Sequence, residues 1–342
     1  MAGTLRHVER YLHGDDSMSP LFRVLLVPFA LLLFFSAQAA AKETSKPAVP
    51  EVSAGQIVWW DDFKPAQDVG VSDVWVWLPE SYETDTQRQF PVLYMHDAEN
   101  IFDPRLSNFD KEWRVDETIT RLARQGDLRE WIVVGLRSPK DRYQALFPQR
   151  LLEYLPEYQQ QLVIGIEWEG IGTAKPLRGD QYAAMVAKDL KAKVDGAFRT
   201  LPGPEDTAVM GSSMGGLMSI YLIAEYPDVF GQAAGLSTHL PLSDPEGGEP
   251  AQRALEVAEA FGAYLSDSKL DAAFNRIYVD YGTATLDAYY PPYFKALEKN
   301  FAQNGWISPQ FESRAFFGAE HEENAWAQRL DIPLIFLDRK DP

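Results

Sequence analysis

The chain has 342 residues, 46% hydrophobic, 13% aromatic and 24% charged, a mixture that can bury a large core and excludes a wholly disordered or collagen-like polymer. Against 50 Asp and Glu stand 32 Lys and Arg; the net charge of −18 repels phosphate backbones and anionic lipid surfaces, so no nucleic-acid partner is expected. The absence of cysteine removes disulfides, thiolate nucleophiles, Cys-ligated zinc and iron–sulfur clusters together, so any covalent catalyst must be another side chain.

In chain order, the first element is an address. From Met18 a short start carrying Arg23 leads into an uncharged apolar run, Val24 to Phe35, and then Ala37-Gln38-Ala39. A basic start, an apolar run and an A-x-A site read as a secretory signal peptide over residues 1–41. The run is shorter than the roughly 20 apolar residues that span a bilayer. Met1 to Ser17 holds Asp15 and Asp16 and makes a poor start, which leaves Met18 open as the true first residue. Export without cysteine points to a periplasmic or secreted protein, with no stable membrane insertion after cleavage.

Residues 42–55 are small, polar and Pro-containing, a linker, and 56–342 form one domain. Aromatic and β-branched runs at GQIVWWDDF and SDVWVWL read as antiparallel edge strands. The continuous apolar run Phe90 to Met95 is a strand buried on both faces, followed by helical spacing from Val115 to Ala123 and the apolar run Trp131 to Leu136. Residues 143–180 have no clean period and read as a long loop over a pocket. A helix over about Tyr182 to Ala197 comes next, then a strand at Thr207 to Met210 and an apolar helix stopped by Pro227. Strands at QAAGLS, Arg276 to Tyr281 and Phe311 to Phe317 alternate with helices near Ala251 to Leu265 and Tyr290 to Gln303. The alternation predicts an α/β fold: a single, mostly parallel sheet with antiparallel N-terminal edge strands and helices on both faces.

Gly211-Ser212-Ser213-Met214-Gly215 fits G-x-S-x-G at a strand-to-helix junction. There a serine sits on a strained turn, and glycines let backbone segments approach that a Cβ would block. Ser213 is the candidate nucleophile, with the Met214 N–H at the helix start able to bond an oxyanion. A serine hydroxyl needs a neutral base, normally His. His7 and His13 lie in the leader, and of the two histidines after Ser213 only His321 follows a strand near the C-terminus, which makes it the base. Its neighbours Glu320, Glu322 and Glu323 favour imidazolium and predict an alkaline activity optimum. His96 ends a buried strand and is either structural or part of an oxyanion loop; His239 either lines the pocket or is a hydrogen-bonded core residue. For the carboxylate, Asp287 lies past Gly282 on a loop that can bend to the sheet's carboxyl end and is favoured over Asp280, still inside its strand, and over Glu320.

These residues, with Tyr94 to Phe102 after a strand, Trp113 and Val115-Asp116-Glu117, Ile132 to Gly135, Arg142, GSSMGG, Ser237-Thr238-His239, the Gly282 to Asp287 loop and His321 with Trp326, resemble the putative-esterase family of α/β-hydrolases. The group includes esterase D-like, enterochelin and feruloyl esterases, and the resemblance covers about residues 56–335. It implies an α/β-hydrolase fold, no metal or organic cofactor, a small-molecule or glycan-linked ester as substrate, and acyl transfer through an acyl-serine. By position Ser213, Asp287 and His321 match the triad, Met214 and a backbone N–H near Ala98 match the oxyanion hole, and His96, Asp97, Glu99, Arg142 and His239 fall around the pocket. Two departures stand out: Ala98-Glu99 where members often have Gly-Gln, and Ala145-Leu146-Phe147 before Pro148 where Glu-Tyr is common. An acyltransferase, a peptidase and a non-catalytic carbohydrate- or siderophore-binding protein are the alternative readings.

Overall fold

The computed structural model describes residues 49–71, 73–107, 109–165, 176–245 and 249–339. The expected signal peptide, residues 42–48 of the expected linker and residues 166–175 of the expected loop lie outside the described residues. What is described of the linker is fastened to the domain: Glu51 N–H donates to Asp103 (2.9 Å), Ser53 N–H to Asp116 (2.7 Å), and Trp77 Nε1 to the Ala54 carbonyl (2.8 Å).

Eight strands form one sheet: β1 (Gln56–Trp60), β2 (Val74–Leu78), β3 (Val92–His96), β4 (Ile132–Leu136), β5 (Thr207–Ser212), β6 (Gln232–Leu236), β7 (Arg276–Gly282) and β8 (Phe311–Phe316), in the order β1-β2-β4-β3-β5-β6-β7-β8. The β1–β2 and β2–β4 pairs are antiparallel and all others parallel, as the sequence predicts.

The inner strands are apolar throughout because both faces are covered, and their period of two deals side chains into two separate cores. Val74, Val76, Tyr94, Val134, Val209, Ile277 and Val279 pack in one; Trp75, Trp77, Leu93, Met95, Val133, Met210 and Tyr278 pack in the other. The alternating Trp and Val of β2 is therefore not the mark of a half-wet edge strand. β1 lies outside it, so all five residues of β2 are buried.

The parallel strands β3, β5, β6, β7 and β8 all end on one edge of the sheet. This brings together five connections scattered along the sequence: Asp97-Ala98, Ser213, Ser237 to His239, Asp287 and the approach to His321.

Three regions differ from the sequence reading. The expected loop at 143–180 begins as short helices, Arg142–Leu146, Gln149–Tyr154 and Glu157–Ile164, packed by Leu146, Phe147 and Leu151. The helix expected from Tyr182 starts at Gly179 and contains one wide turn, Met185–Leu190, before Lys191–Ala197. Past His321 two helices appear that no period announced, Glu323–Ala327 and Asp331–Asp338. The first is capped by the Glu322 carboxylate, which accepts from Asn324 and Ala325 N–H. The last is tied to the sheet at Asp338, which accepts from Arg129 N–H (2.7 Å), Arg129 Nε (2.6 Å) and Trp131 Nε1 (3.3 Å).

Replacing Asp338 with Ala strands these partly buried donors and is expected to lower unfolding free energy by about 1–3 kcal/mol. Urea unfolding midpoints measure it; an unchanged midpoint would contradict the tie.

Candidate active site

Ser213 joins β5 to the helix Met214–Glu225 with φ 53° and ψ −118°, a backbone state that costs a non-glycine residue about 1–3 kcal/mol. The strand beside it holds the residue there. Ser213 N–H donates to the Leu236 carbonyl (2.9 Å) and His239 N–H donates to the Ser213 carbonyl (3.2 Å). Gly211 is required by contact: a Cβ would lie 2.7 Å from the Gly215 carbonyl carbon, inside the turn itself. Helix-start N–H groups such as that of Met214 have no acceptor within their own helix, so this turn presents donors beside the serine.

Asp287 and His321 meet across the loops that follow β7 and β8. His321 Nδ1–H donates to Asp287 Oδ1 at 2.6 Å, with the carboxylate fully buried and the ring 14% exposed. The other oxygen, Oδ2, accepts from Gly282 N–H (2.6 Å) and from Ser237 Oγ–H. Asp280, the other candidate in this stretch, is engaged elsewhere: it pairs with Arg329 (2.9 and 3.1 Å) and accepts from Ser237 N–H (2.9 Å) and Tyr278 Oη (3.1 Å). The two loops clasp one another. Thr283 and Ala284 N–H donate to the Ala319 carbonyl, Gly318 N–H to Thr283 Oγ1, and His321 N–H to Thr285 Oγ1 (2.8 Å). The His321 ring stands edge-on to Trp326 (5.2 Å, 81°) and Tyr290 (5.9 Å, 88°). Of its acidic neighbours, Glu322 pairs with Lys111 (2.8 Å), Glu323 is buried with its pKa raised by that burial, and Glu320 is exposed.

His96 and His239 are buried partners of tyrosines. His239 Nδ1 shares a hydrogen bond with Tyr290 Oη (2.7 Å), and His96 Nδ1 shares one with Tyr182 Oη (2.8 Å). Burial lowers the pKa of His239 to about 3, helped by the charge of His321, and that of His96 to about 4 against the opposing pull of Asp97. Both are neutral at pH 7.

Asp97, in the left-handed region (φ 59°), binds Arg142 through Nε (2.7 Å) and Nη2 (2.6 Å) and accepts from Ser138 Oγ. Burial raises its pKa, but Arg142 and these hydrogen bonds outweigh that and hold it below the usual range. Glu99 is largely buried and accepts from Ser138 N–H (3.0 Å), which fastens the Ala98–Asn100 turn to the connection after β4. Ala98 itself is buried in that turn against Gly135, where a Cβ would come within 2.9 Å of it. Among the described residues no group of three or more His, Asp or Glu is arranged to hold a metal ion.

Two residues that the sequence reading did not assign lie at this centre. Tyr290, fully buried, holds the His239 ring through its hydroxyl and stands edge-on to His321. Ser237 contacts both aspartates. Neither residue type announces such a role, although Ser237 lies in the quoted Ser-Thr-His stretch and Tyr290 three residues past Asp287.

Residues 71–161 and 168–337 match the family described as Putative esterase, and the chain belongs to that family. The fold is that of a solved ferulic acid esterase, at 17% identity and a TM-score of 0.55, over 83% of this chain and 98% of that one. It is also that of the BES protein from Bacillus cereus (14%, TM-score 0.55, 85% and 98%) and of the enterobactin esterase FES from Shigella flexneri (17%, TM-score 0.53, 85% and 60%). The uncharacterized protein YbbA of Bacillus subtilis (strain 168) is 22% identical over 162 residues, which is 47% of this chain and 54% of YbbA. The chain thus spans about half the length of that curated relative. Family and fold together place the chain in the Putative esterase family with an α/β-hydrolase fold.

The buried histidines make stability depend on pH with a defined sign. Between about 4 and 6.5 the unfolded chain protonates His96 while the folded chain does not, so this contribution is full above about 6.5 and is lost as pH falls toward 4. His239 acts in the same sense, whereas Glu112, raised to about 7 by burial, acts in the opposite one. Comparing His96→Gln with the unsubstituted protein isolates the first effect. Between those pH values the variant's unfolding free energy is expected to fall less steeply, by about 1.4 kcal/mol per pH unit. Parallel curves in denaturant titrations would contradict it.

Proposed function

We propose that this protein is an exported serine esterase that cleaves carboxylic esters through an acyl-serine intermediate. The observation that carries the reading is the buried 2.6 Å hydrogen bond from His321 to Asp287, on the sheet edge where the strained Ser213 turn also emerges. Tyr290 links the two parts: its ring packs edge-on to His321, and its hydroxyl bonds His239, whose N–H donates to the Ser213 carbonyl.

In this reading Asp287 fixes the proton of His321 on Nδ1, which leaves Nε2 as the base. Nε2 takes the Ser213 proton as Oγ attacks the ester carbonyl, and N–H groups of Met214 and the Ala98 turn hold the resulting oxyanion. The imidazolium then protonates the departing alcohol, and water, activated by the same nitrogen, releases the acid. Proton transfer of this kind contributes about 10²–10⁴ to the rate, and each oxyanion donor about 10²–10³. His96 and His239, neutral and tied to tyrosines, shape the surroundings and do not compete for the proton.

The substrate is a small-molecule or glycan-linked ester. The family and the α/β-hydrolase fold support ester cleavage, and hydrolysis of a panel of aryl, acetyl-sugar, feruloyl and siderophore esters identifies the acyl and alcohol parts. Export rests on the basic, apolar and A-x-A pattern of the first 41 residues.

Changing Ser213 to Ala is expected to reduce turnover of a nitrophenyl ester to within about 10³–10⁴ of the uncatalysed rate. Retained turnover would refute the assignment.

A further inference from the structure

Ser237 follows β6 at φ 42°, a conformation that glycine adopts freely and serine only under strain. What a serine supplies there is its hydroxyl, and the surroundings of that hydroxyl are fully specified. Trp326 Nε1 donates to Ser237 Oγ at 2.8 Å and Arg329 Nη2 donates to it at 3.0 Å. Indole and guanidinium N–H groups can only donate, and a hydroxyl oxygen has two lone pairs. Both are therefore occupied, and the single hydroxyl proton is left to the remaining neighbour, Asp287 Oδ2.

The Arg329 guanidinium is in turn fixed by Asp280, at 2.9 and 3.1 Å, and the Ser237 N–H donates to the same Asp280 at 2.9 Å. Ser237, Asp280 and Asp287 are fully buried, with Arg329 and Trp326 at 3% and 5% exposure. Hydrogen bonds in such a place are not exchanged for water, so the chain Asp280–Arg329–Ser237–Asp287–His321 has one arrangement.

The geometry points to Ser237 as a positioning residue: its hydroxyl, locked by Trp326 and Arg329, holds the Asp287 carboxylate in the one orientation that directs Oδ1 at His321 Nδ1. This inference rests on the reading of Ser213, His321 and Asp287 as one catalytic unit, and extends it to the buried Asp280–Arg329 ion pair behind Asp287. Asp280 is then the anchor of the chain and not an alternative to Asp287.

The test compares the unsubstituted protein with Ser237→Ala and Ser237→Gly, well below the melting temperature of each. Two quantities are read: the second-order rate of labelling by a fluorophosphonate, with the labelled residue located by peptide mass spectrometry, and kcat and KM for a nitrophenyl ester. Ser237→Gly removes the hydroxyl while relieving the backbone strain, so it separates the two. Both variants are expected to label at Ser213 about 10–100-fold more slowly, the scale on which removing a hydrogen-bond partner behind a metal-binding side chain lowers activity, with kcat lowered in step and KM little changed. A merely structural role would lower stability and leave kcat per folded molecule intact.

Labelling at Ser213 by Ser237→Gly within about twofold of the unsubstituted rate overturns the inference alone. An unsubstituted protein that is not labelled at Ser213 overturns the esterase reading and this inference with it. Should neither variant fold, Trp326→Phe removes one of the two locking donors while keeping an aromatic ring against His321. Slower labelling then supports the inference, and an unchanged rate overturns it.

Discussion

The hydrogen bond between His321 and Asp287 is an interaction that a flexible surface would not sustain. An exposed pair of this kind contributes at most about 1 kcal/mol and is screened by salt. Here the carboxylate is fully removed from water, so its charge must be met by fixed donors, and Gly282 N–H, the Ser237 hydroxyl and His321 itself meet it. Much of the local architecture follows from that requirement. Gly282 must lack a Cβ because the Ala319 carbonyl would lie 2.2 Å from it, and it is this close crossing that brings the two loops together. The bonds to the Ala319 carbonyl and to the Thr285 hydroxyl then set the height of the imidazole above the sheet edge.

The same logic accounts for the other histidines. Three imidazoles lie near this edge among the described residues, and two are fully desolvated and paired with tyrosine hydroxyls, which keeps them uncharged. Only the third has a carboxylate on Nδ1 and a partly open face. A base needs a stabilised imidazolium when it takes a proton; a structural histidine needs a neutral ring. Burial and partner choice set His321 apart from the other two, as the proposed mechanism requires.

The sheet and the strained serine turn were legible in the sequence because both are written in short-range steric terms: runs of Val, Ile and Trp, an alternation with helices, and glycines flanking Ser213. The order of the site residues along the chain was legible too, because parallel strands deliver every connection to one edge. The partners behind those residues were not. Asp280 and Asp287 are seven residues apart and chemically identical, and what distinguishes them is that Asp280 is still inside β7 whereas Asp287 lies on the loop after it, and that Arg329, 49 residues from Asp280, reaches back to the first. Ser237 and Tyr290 matter through the direction of one hydroxyl each, which no periodicity encodes. The helices within 143–164 read as loop in the sequence because their Gln, Pro and aromatic composition lacks an apolar stripe; they are held by contacts with the core and not by their own amphipathicity.

The most direct measurement is kcat/KM for an ester substrate of the Asp287→Asn variant. The amide keeps the volume of the carboxylate but removes its charge and offers a donor where His321 needs an acceptor. The expected result is a loss of about 10⁴, the size this substitution produces in a serine–histidine–aspartate hydrolase, with the fold intact by circular dichroism. A folded variant that retains more than a tenth of the activity would contradict the central place given to this hydrogen bond.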